Sequence, residues 1–182
     1  RRIVDIISDV NMAYSEHARR YLADCGLPKE RTYVTGSPMA EVLHNNLAEI
    51  EASDVHQRLG LEKGKYILLS AHREENIDTE KNFMSLFSAI NKMAEKYDMP
   101  ILYSCHPRSR NRLAASGFQL DSRVIQHEPL GFHDYNCLQM NAFAVVSDSG
   151  TLPEESSFFT SVGHPFPAIC IRTSTERPEA ID

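Results

Sequence analysis

Short apolar runs alternate with amphipathic segments along most of this chain. From residue 66 onward the runs fall at 66–70, 101–105, 124–125, 142–146 and 168–171. Their near-continuous apolar character is typical of strands in a parallel sheet that is covered on both faces. Between the first two runs, residues 82–97 place Phe83, Phe87 and Ile90 on one side of a predicted helix. Strand and helix therefore alternate, which predicts an α/β fold with a Rossmann-like, doubly wound parallel sheet.

The first forty or so residues give a weaker pattern. Apolar residues across 3–12 recur at near-strand spacing and predict a strand. Ser15 is placed to cap a following helix, and Gly26 is placed to end it. Residues 32–35 predict a second short strand, after which 36–38 break the chain and a helix resumes.

Polar residues collect where the predicted strands end. The groups are His72-Arg73, His106-Pro107-Arg108, Ser147-Asp148-Ser149-Gly150 and Arg172-Thr173-Ser174. In doubly wound sheets, ligands bind beyond the carboxyl ends of the strands. Core packing does not explain hydroxyl, histidine and arginine side chains at four strand ends, so the pattern favours a binding site there.

The segment 147–156 carries the strongest single signal. Its sequence, SDSGTLPEES, reads as a strand end, a small-residue turn and a helix that begins at the Pro-Glu-Glu. The amides of Ser149, Gly150 and Thr151 can point at a phosphate, which the helix dipole also favours. Glu155, one turn into the helix, can accept from both hydroxyls of a ribose. An ordinary strand-to-helix turn explains the segment equally well when it is taken alone.

Further residues are candidates for ligand contacts. His72, beside Arg73, favours a phosphate- or sugar-facing role over that of a lone structural histidine. Arg172 and Arg177 suit a bidentate grip on phosphate. Tyr135 can stack a base on its ring or pack in the core, and the sequence leaves both interpretations open.

The length, composition, net charge and cysteine spacing exclude several classes of protein. With 182 residues, 42% hydrophobic and 24% charged, the chain fits a globular protein of one domain, or of one domain and part of another. No run approaches the ~20 apolar residues that span a bilayer, so no membrane segment is predicted. A net charge of −6 argues against a nucleic-acid partner. Four cysteines without a C-x-x-C spacing predict free thiols in a reducing cytoplasm, Cys105 and Cys170 being buried, and no metal site.

Four motifs in order carry a resemblance to a known family. They are TGS (35–37), SAHREEN (70–76), SDSGTLPEES (147–156) and RTSTERPE (172–179). Together they resemble the non-hydrolysing UDP-N-acetylglucosamine 2-epimerases, whose usual forms are TGN, T-x-HRREN, DSGG-x-QEE and R-x-x-TERPE. The similarity covers nearly the whole chain.

The departures from these forms point to one branch of the family. Glu74 stands where a second Arg is usual, residues 151–153 replace Gly-x-Gln, and the segment 157–167 is longer than the turn expected there. These features resemble the capsule and O-antigen branch that makes UDP-N-acetyl-L-fucosamine. That branch inverts C2 of a UDP-2-acetamido-2,6-dideoxy-L-talose precursor, so the resemblance favours this substrate over UDP-N-acetylglucosamine.

The resemblance implies two Rossmann-like domains that face a cleft, as in the GT-B glycosyltransferases. Residues 1–36 would be the tail of the N-terminal domain, and 37–182 a truncated C-terminal domain that binds UDP. The chain also opens without Met inside an apolar pattern, so we expect a fragment. For the full-length enzyme a homodimer is implied.

The same resemblance assigns roles to individual residues. The UDP-binding set is Tyr135 on the uracil, Ser149 and Gly150 at the diphosphate, Glu155 at the ribose, and Arg172 and Arg177 in support. His72 is the candidate catalytic residue and faces the phosphates or the sugar. His106, with Arg73, falls where some family members bind a second, regulatory UDP-sugar.

The family reaction is anti elimination of UDP to a 2-acetamidoglycal, followed by re-addition on the other face. A carboxylate base removes the C2 proton, and stabilising the departing UDP lowers the barrier. The reaction needs no metal and no other cofactor. Its carboxylates belong to the first domain, so we expect this chain to bind UDP weakly and to turn over nothing.

Two alternatives remain open from the sequence. A GT-B glycosyltransferase uses the same UDP-carrying fold, although it would not normally combine HREEN with TERPE. A non-catalytic UDP-sugar sensor built from this half alone would need submicromolar UDP binding without a partner domain.

Overall fold

The computed structural model describes residues 2–73, 79–105 and 107–172 of the chain. Within them the chain divides into two compact units, which comprise residues 2–40 and 41–172. No helix of the described residues is long and apolar enough to cross a membrane.

The first unit contains a pair of short parallel strands. Its elements are α1 (Arg2–Ile7), β1 (Asn11–Ala13), α2 (Glu16–Asp24), a 3₁₀ turn (Lys29–Arg31) and β2 (Thr32–Val34). Strands β1 and β2 pair in parallel, with Asn11 opposite Thr32. Ser15 caps α2 as predicted, because its hydroxyl accepts from the amide of Ala18 at 3.1 Å. Gly26 follows the end of α2 with φ +88°, a conformation that favours glycine.

The strand predicted over residues 3–12 is wrong for most of its length. Arg2–Ile7 is a helix, and only Asn11–Ala13 forms a strand. Apolar residues three and four apart, such as Ile3, Ile6 and Ile7, suit a helix as well as a mixed strand. Over so short a run, spacing alone cannot separate the two.

The rest of the chain builds the predicted doubly wound layer. Its elements are α3 (Met39–Asn45), α4 (Leu47–Glu51), α5 (Val55–Leu59), β3 (Ile67–Ser70), α6 (Glu80–Tyr97), β4 (Ile101–Ser104), α7 (Pro107–Ser116), β5 (Val124–His127), α8 (Phe132–Met140), β6 (Ala144–Ser147), α9 (Leu152–Ser161) and β7 (Ala168–Cys170). The five strands β3–β7 are all parallel, in the order β5-β4-β3-β6-β7. The predicted fold class is therefore confirmed.

The strand order reverses between β3 and β6, and this reversal fixes where a ligand can enter. After β3 the chain builds outward through β4 and β5, and then returns to place β6 on the other side of β3. The register sets Ile67 opposite Ala144 and Ser70 opposite Ser147, so both strands end at the same level. Such a switch point leaves a crevice beyond the carboxyl ends of the strands.

Helix α6 packs its predicted apolar side on the sheet. Phe83, Phe87 and Ile90 are buried against the strand residues Ile67 and Tyr103. The ring of Phe87 lies 4.7 Å from that of Phe83 and 5.6 Å from that of Tyr103, centroid to centroid. Tilted aromatic pairs at these separations add to the stabilisation from burial.

Strand β7 differs from the expectation of a covered strand. All of its residues are exposed, Ile169 by 49%, and the thiol-bearing Cys170 is exposed as well. Cys105 is buried as predicted, but the prediction for Cys170 is wrong. Among the described residues, β7 pairs with β6 alone and forms the edge of the sheet, which removes the cover that an inner strand has.

Truncation of Phe87 should destabilise the second unit strongly. Phe87→Ala removes a fully buried ring from three aromatic contacts, so we expect a loss of about 3–5 kcal/mol in the free energy of unfolding. Urea denaturation of the chain checks this. Met84→Ala, at a 38% exposed position on the same helix, is the control and should cost much less. Equal losses for the two variants would contradict the packing described.

Candidate functional site

The site lies at the switch point, where β3 and β6 end side by side. Ser70 and Ser147 close the two strands in register, and both are buried. The amide of Asp148 donates to the carbonyl of Ser70 at 3.1 Å, which extends the pairing one step past the strands. The turns that follow these strands are thereby held against each other.

The Asp148 carboxylate ties the two turns together. The residue is only 2% exposed, and its Oδ2 accepts from the amides of His72 and Arg73, both at 2.8 Å. A buried carboxylate needs such donors, because an unsatisfied buried charge is strongly unfavourable. Asp148 is not among the site residues predicted from the sequence. An acidic residue directly after a buried apolar strand was the available signal.

Two guanidinium groups converge on the turn after β6. The backbone carbonyl of Asp148 accepts from Arg73 Nε at 2.9 Å and from Arg172 Nη2 at 3.4 Å. Arg172 is brought there by β7, since the amide of Ile171 donates to the carbonyl of Ser147 at 2.9 Å. A Cβ added to Gly150 would lie 3.2 Å from Arg172 Nη2 and 4.0 Å from Arg73 Nη2. Glycine here therefore lets two cationic groups approach the backbone just before α9.

The amides of this turn are not equally available to an anion. The amide of Ser149 donates to Ser147 Oγ at 3.0 Å, and that of Thr151 donates to Ser149 Oγ at 3.3 Å. Of the three amides predicted to face a phosphate, these two are bonded within the turn. The amide of Gly150 makes no hydrogen bond to any described residue. With the nearby guanidinium groups and the start of α9, it can contribute to an anion site.

Glu155 is held from two sides. Thr151 Oγ1 donates to its Oε1 at 2.6 Å, and Gln139 Nε2 donates to its Oε2 at 2.8 Å. Gln139 is fully buried in α8, one helical turn after Tyr135, so the two project to the same side. Each carboxylate oxygen keeps a further lone pair for a ligand hydroxyl. Gln139 is not among the residues predicted from the sequence, although a glutamine in an apolar helix one turn from a candidate residue is a usable signal.

Tyr135 lies over the ends of the two central strands. It is partly buried, and burial raises the pKa of its phenol to about 12. The negative charge of Glu155 raises this pKa further, whereas the hydroxyls of Ser70 and Ser147 lower it. The phenol therefore belongs to the same cluster as Glu155 and the strand ends, and its stacking on a base stays a prediction.

The structure brings most of the predicted site residues together. The cluster contains His72, Arg73, Tyr135, Ser149, Gly150, Glu155 and Arg172. Arg73, assigned from the sequence to a possible second site with His106, lies beside Gly150 and Arg172. His106 and Arg177 lie outside the described residues, as does Glu74. Within the described part of the chain, no group of three or more His, Cys, Asp or Glu residues is arranged to hold a metal ion.

Comparison with known proteins places this chain in a family. The family model described as UDP-N-acetylglucosamine 2-epimerase matches residues 1–182. A protein of Methanococcus maripaludis named UDP-N-acetylglucosamine 2-epimerase is 29% identical over 189 residues, which cover 100% of this chain and 50% of that protein.

Solved structures give the same result for the fold. A UDP-N-acetylglucosamine 2-epimerase from Rickettsia bellii has a TM-score of 0.86 and 38% identity, over 100% of this chain and 47% of that one. The UDP-GlcNAc 2-epimerase of Methanocaldococcus jannaschii, solved in complex with UDP-GlcNAc and UDP, has a TM-score of 0.86 and 28% identity, over 100% of this chain and 50% of that one. This chain therefore spans about half the length of the relatives it matches.

The raised pKa of Tyr135 predicts a loss of stability in alkali. The folded state holds this proton more tightly than the unfolded chain, so the contribution is complete below pH ~10 and is lost as the pH rises towards 12. In that window the free energy of unfolding should fall by up to about 1.4 kcal/mol per pH unit more in the wild type than in Tyr135→Phe. Denaturation series at several pH values measure this, and the difference in tyrosinate absorbance between the two proteins should titrate near 12. A difference titration near 10 would contradict the placement of the phenol.

Proposed function

Because this chain belongs to the UDP-N-acetylglucosamine 2-epimerase family, we propose that its site binds the UDP part of a UDP-sugar in a UDP-sugar 2-epimerase. The observation that carries the proposal is the convergence of the Arg73 and Arg172 guanidinium groups beside Gly150, at the switch point of the sheet. Guanidinium groups suit the bidentate recognition of phosphate oxygens. The M. jannaschii relative, solved with UDP-GlcNAc and UDP, supports the same class of ligand.

In this proposal, each part of the ligand contacts different residues of the cluster. The diphosphate lies at Gly150, between the two arginines, with Arg177 in support. Glu155 accepts from the ribose hydroxyls, and Tyr135 contacts the uracil from its place on α8. His72, whose amide is fixed by Asp148, faces the phosphates or the sugar.

The proposed reaction has two steps. A carboxylate base removes the C2 proton of a UDP-2-acetamido sugar as the C1–O bond to UDP breaks, which gives a 2-acetamidoglycal and free UDP. UDP then adds back to C1 while a proton reaches C2 from the opposite face, which inverts C2. The residues of this chain lower the barrier by stabilising the negative charge that develops on the departing UDP. No cofactor takes part in this scheme.

The proton-transferring carboxylates belong, in this proposal, to the other half of the enzyme. The relatives are about twice as long as this chain, which leaves room for a second domain. We assign residues 1–36 to the tail of that domain and 37–182 to the UDP-binding domain. In the first unit, Met12 is 72% exposed and Tyr33 57%, and two short strands rarely form a stable sheet alone. Both observations support a larger domain around this unit.

We further propose the capsule and O-antigen branch as the source of the substrate. The replacement of Gly-x-Gln by residues 151–153 supports this branch, and so does Glu74. The branch in turn favours UDP-2-acetamido-2,6-dideoxy-L-talose over UDP-N-acetylglucosamine as the substrate. A homodimer and a cytoplasmic location complete the proposal. The buried thiols of Cys105 and Cys137 fit a reducing compartment.

The two alternatives are less well supported. A GT-B glycosyltransferase would share the fold, and a non-catalytic sensor would share the UDP site, but the matching family is one of epimerases. A glycosyltransferase consumes an acceptor together with the UDP-sugar. A sensor binds UDP without any exchange at C2. A measurement of proton exchange at C2 separates all three.

Exchange of the C2 proton tests the reaction directly. The full-length protein is incubated in deuterated water with UDP-N-acetylglucosamine or with the UDP-L-talose derivative, and NMR follows the C2 signal. We expect loss of that signal and appearance of the C2 epimer without an acceptor, because deprotonation and re-addition occur at C2. The 182-residue chain alone is the control and should give no exchange. Binding of UDP without exchange by the full-length protein would contradict the proposal.

Gly150 offers a test of the diphosphate position. Gly150→Ala should weaken UDP binding by about tenfold, because the new methyl group lies 3.2 Å from Arg172 Nη2 and displaces that guanidinium group. Binding of uridine, which lacks the diphosphate, should change little. Gly131→Ala is a matched control, since its φ of −65° accepts alanine and its added Cβ meets nothing within 4 Å. Calorimetry measures both ligands, and an unchanged UDP affinity in Gly150→Ala would remove the diphosphate from this turn.

A further inference from the structure

The hydroxyl of Thr151 lies at the centre of a hydrogen-bond chain in the turn before α9. Its Oγ1 is 2.6 Å from Glu155 Oε1 and 3.0 Å from Ser149 Oγ. Glu155 also accepts from Gln139 at 2.8 Å, so four side chains from α8, the turn and α9 form one hydrogen-bond chain. Every member is in the described part of the structure.

The proton positions in this hydrogen-bond chain follow from counting donors and acceptors. A carboxylate has no proton to give, so the single hydroxyl proton of Thr151 goes to Glu155. The contact between Thr151 and Ser149 then requires Ser149 to donate. Ser149 Oγ also accepts from the amide of Thr151 at 3.3 Å. The hydrogen bonds therefore run in one direction, from Ser149 through Thr151 to Glu155.

This direction has two consequences for a ligand. Glu155 is fixed by donors on both oxygens, so its remaining lone pairs point along set directions before any ligand arrives. Ser149 has given its proton to Thr151 and therefore has none for an anion, which leaves donation to the Gly150 amide and the two arginines. A residue without a hydroxyl at position 151, such as the glycine of the usual family motif, cannot produce either effect.

We propose that Thr151 is a positioning residue that orients the Glu155 carboxylate toward the ribose hydroxyls and so sets the preference for a ribonucleotide. The proposal rests on the proposed UDP site, and it concerns how tightly the ribose is selected there. Thr151 itself does not contact the reacting atoms. Without the Thr151 hydroxyl, Glu155 keeps only its hydrogen bond from Gln139 and is less ordered. It would then bind a ribose and a deoxyribose with less difference, because further ordering of its side chain would oppose the gain from the extra hydroxyl.

The test compares UDP with 2′-deoxy-UDP in the full-length protein by calorimetry. The wild type should prefer UDP by about tenfold, the typical worth of one hydrogen bond to a charged group. Thr151→Val keeps the shape and removes the hydroxyl, so the preference should fall to about twofold or less. Thr151→Ser, which restores a hydroxyl, should recover most of the preference. A merely structural role would weaken both ligands equally and leave their ratio unchanged.

Thr160→Val is the matched control on the same helix. Its hydroxyl donates to the backbone carbonyl of Ser156 at 2.8 Å and is exposed, so its loss should leave the ratio unchanged. If Thr151→Val does not fold, Thr151→Ala makes the same comparison. An unchanged ratio in a folded variant without the hydroxyl overturns this inference and leaves the proposed function standing. A wild type that binds UDP without any preference overturns this inference and the ribose contact of Glu155, but leaves UDP binding and the proposed reaction standing. A wild type that binds neither ligand overturns the proposed function and the inference with it.

Discussion

The buried carboxylate of Asp148 is the constraint on which the site depends. It lies at the end of β6, almost inaccessible to solvent, and accepts from two consecutive amides of the turn after β3. These donors stabilise a carboxylate that burial would otherwise penalise strongly. The two turns are therefore not free to move independently. The positions of the side chains on one turn are fixed relative to those on the other. The carbonyl of Asp148 extends this control to the side chains, since it accepts from both Arg73 and Arg172.

Acidic groups in the first turn of α9 shape how an anion can be held. Glu154 and Glu155 lie where the helix dipole favours negative charge. They therefore compete with a bound phosphate for the positive end of that dipole. The chain as a whole is also acidic, with a net charge of −6. In the proposed site, the two arginines are thus required to make the turn attractive to a diphosphate. Hydrogen bonds from Thr151 and Gln139 hold the Glu155 carboxylate in place, and in the proposed site its remaining lone pairs accept from neutral ribose hydroxyls.

The sequence predicted the sheet well and the contacts within the site poorly, for physical reasons. Strands such as β3 and β6 are recognisable because inner parallel strands are apolar on both faces and end at polar turns. The segment Arg2–Ile7 forms a helix where the sequence predicts a strand, because its few apolar residues fit both periods. Exposure of β7 depends on its place at the sheet edge, which local sequence does not record. The backbone donors to Asp148 also cannot be found from local sequence, because His72 precedes Asp148 by 76 positions.

The motif at 147–156 fixes the order of the turn residues but not the hydrogen bonds that they make. The order of Ser149, Gly150 and Glu155 along the chain predicts a shared ligand site, and they do lie in one cluster. Their chemistry, however, is decided by Thr151 and Gln139, which occupy positions where the motif is varied or silent. Ser149 gives its proton to Thr151, so the same serine in a turn without that hydroxyl would be a donor to the ligand. Two chains that share the motif can therefore present opposite hydrogen-bonding groups to the same nucleotide. Assigning the role of a motif residue requires knowing where its proton goes.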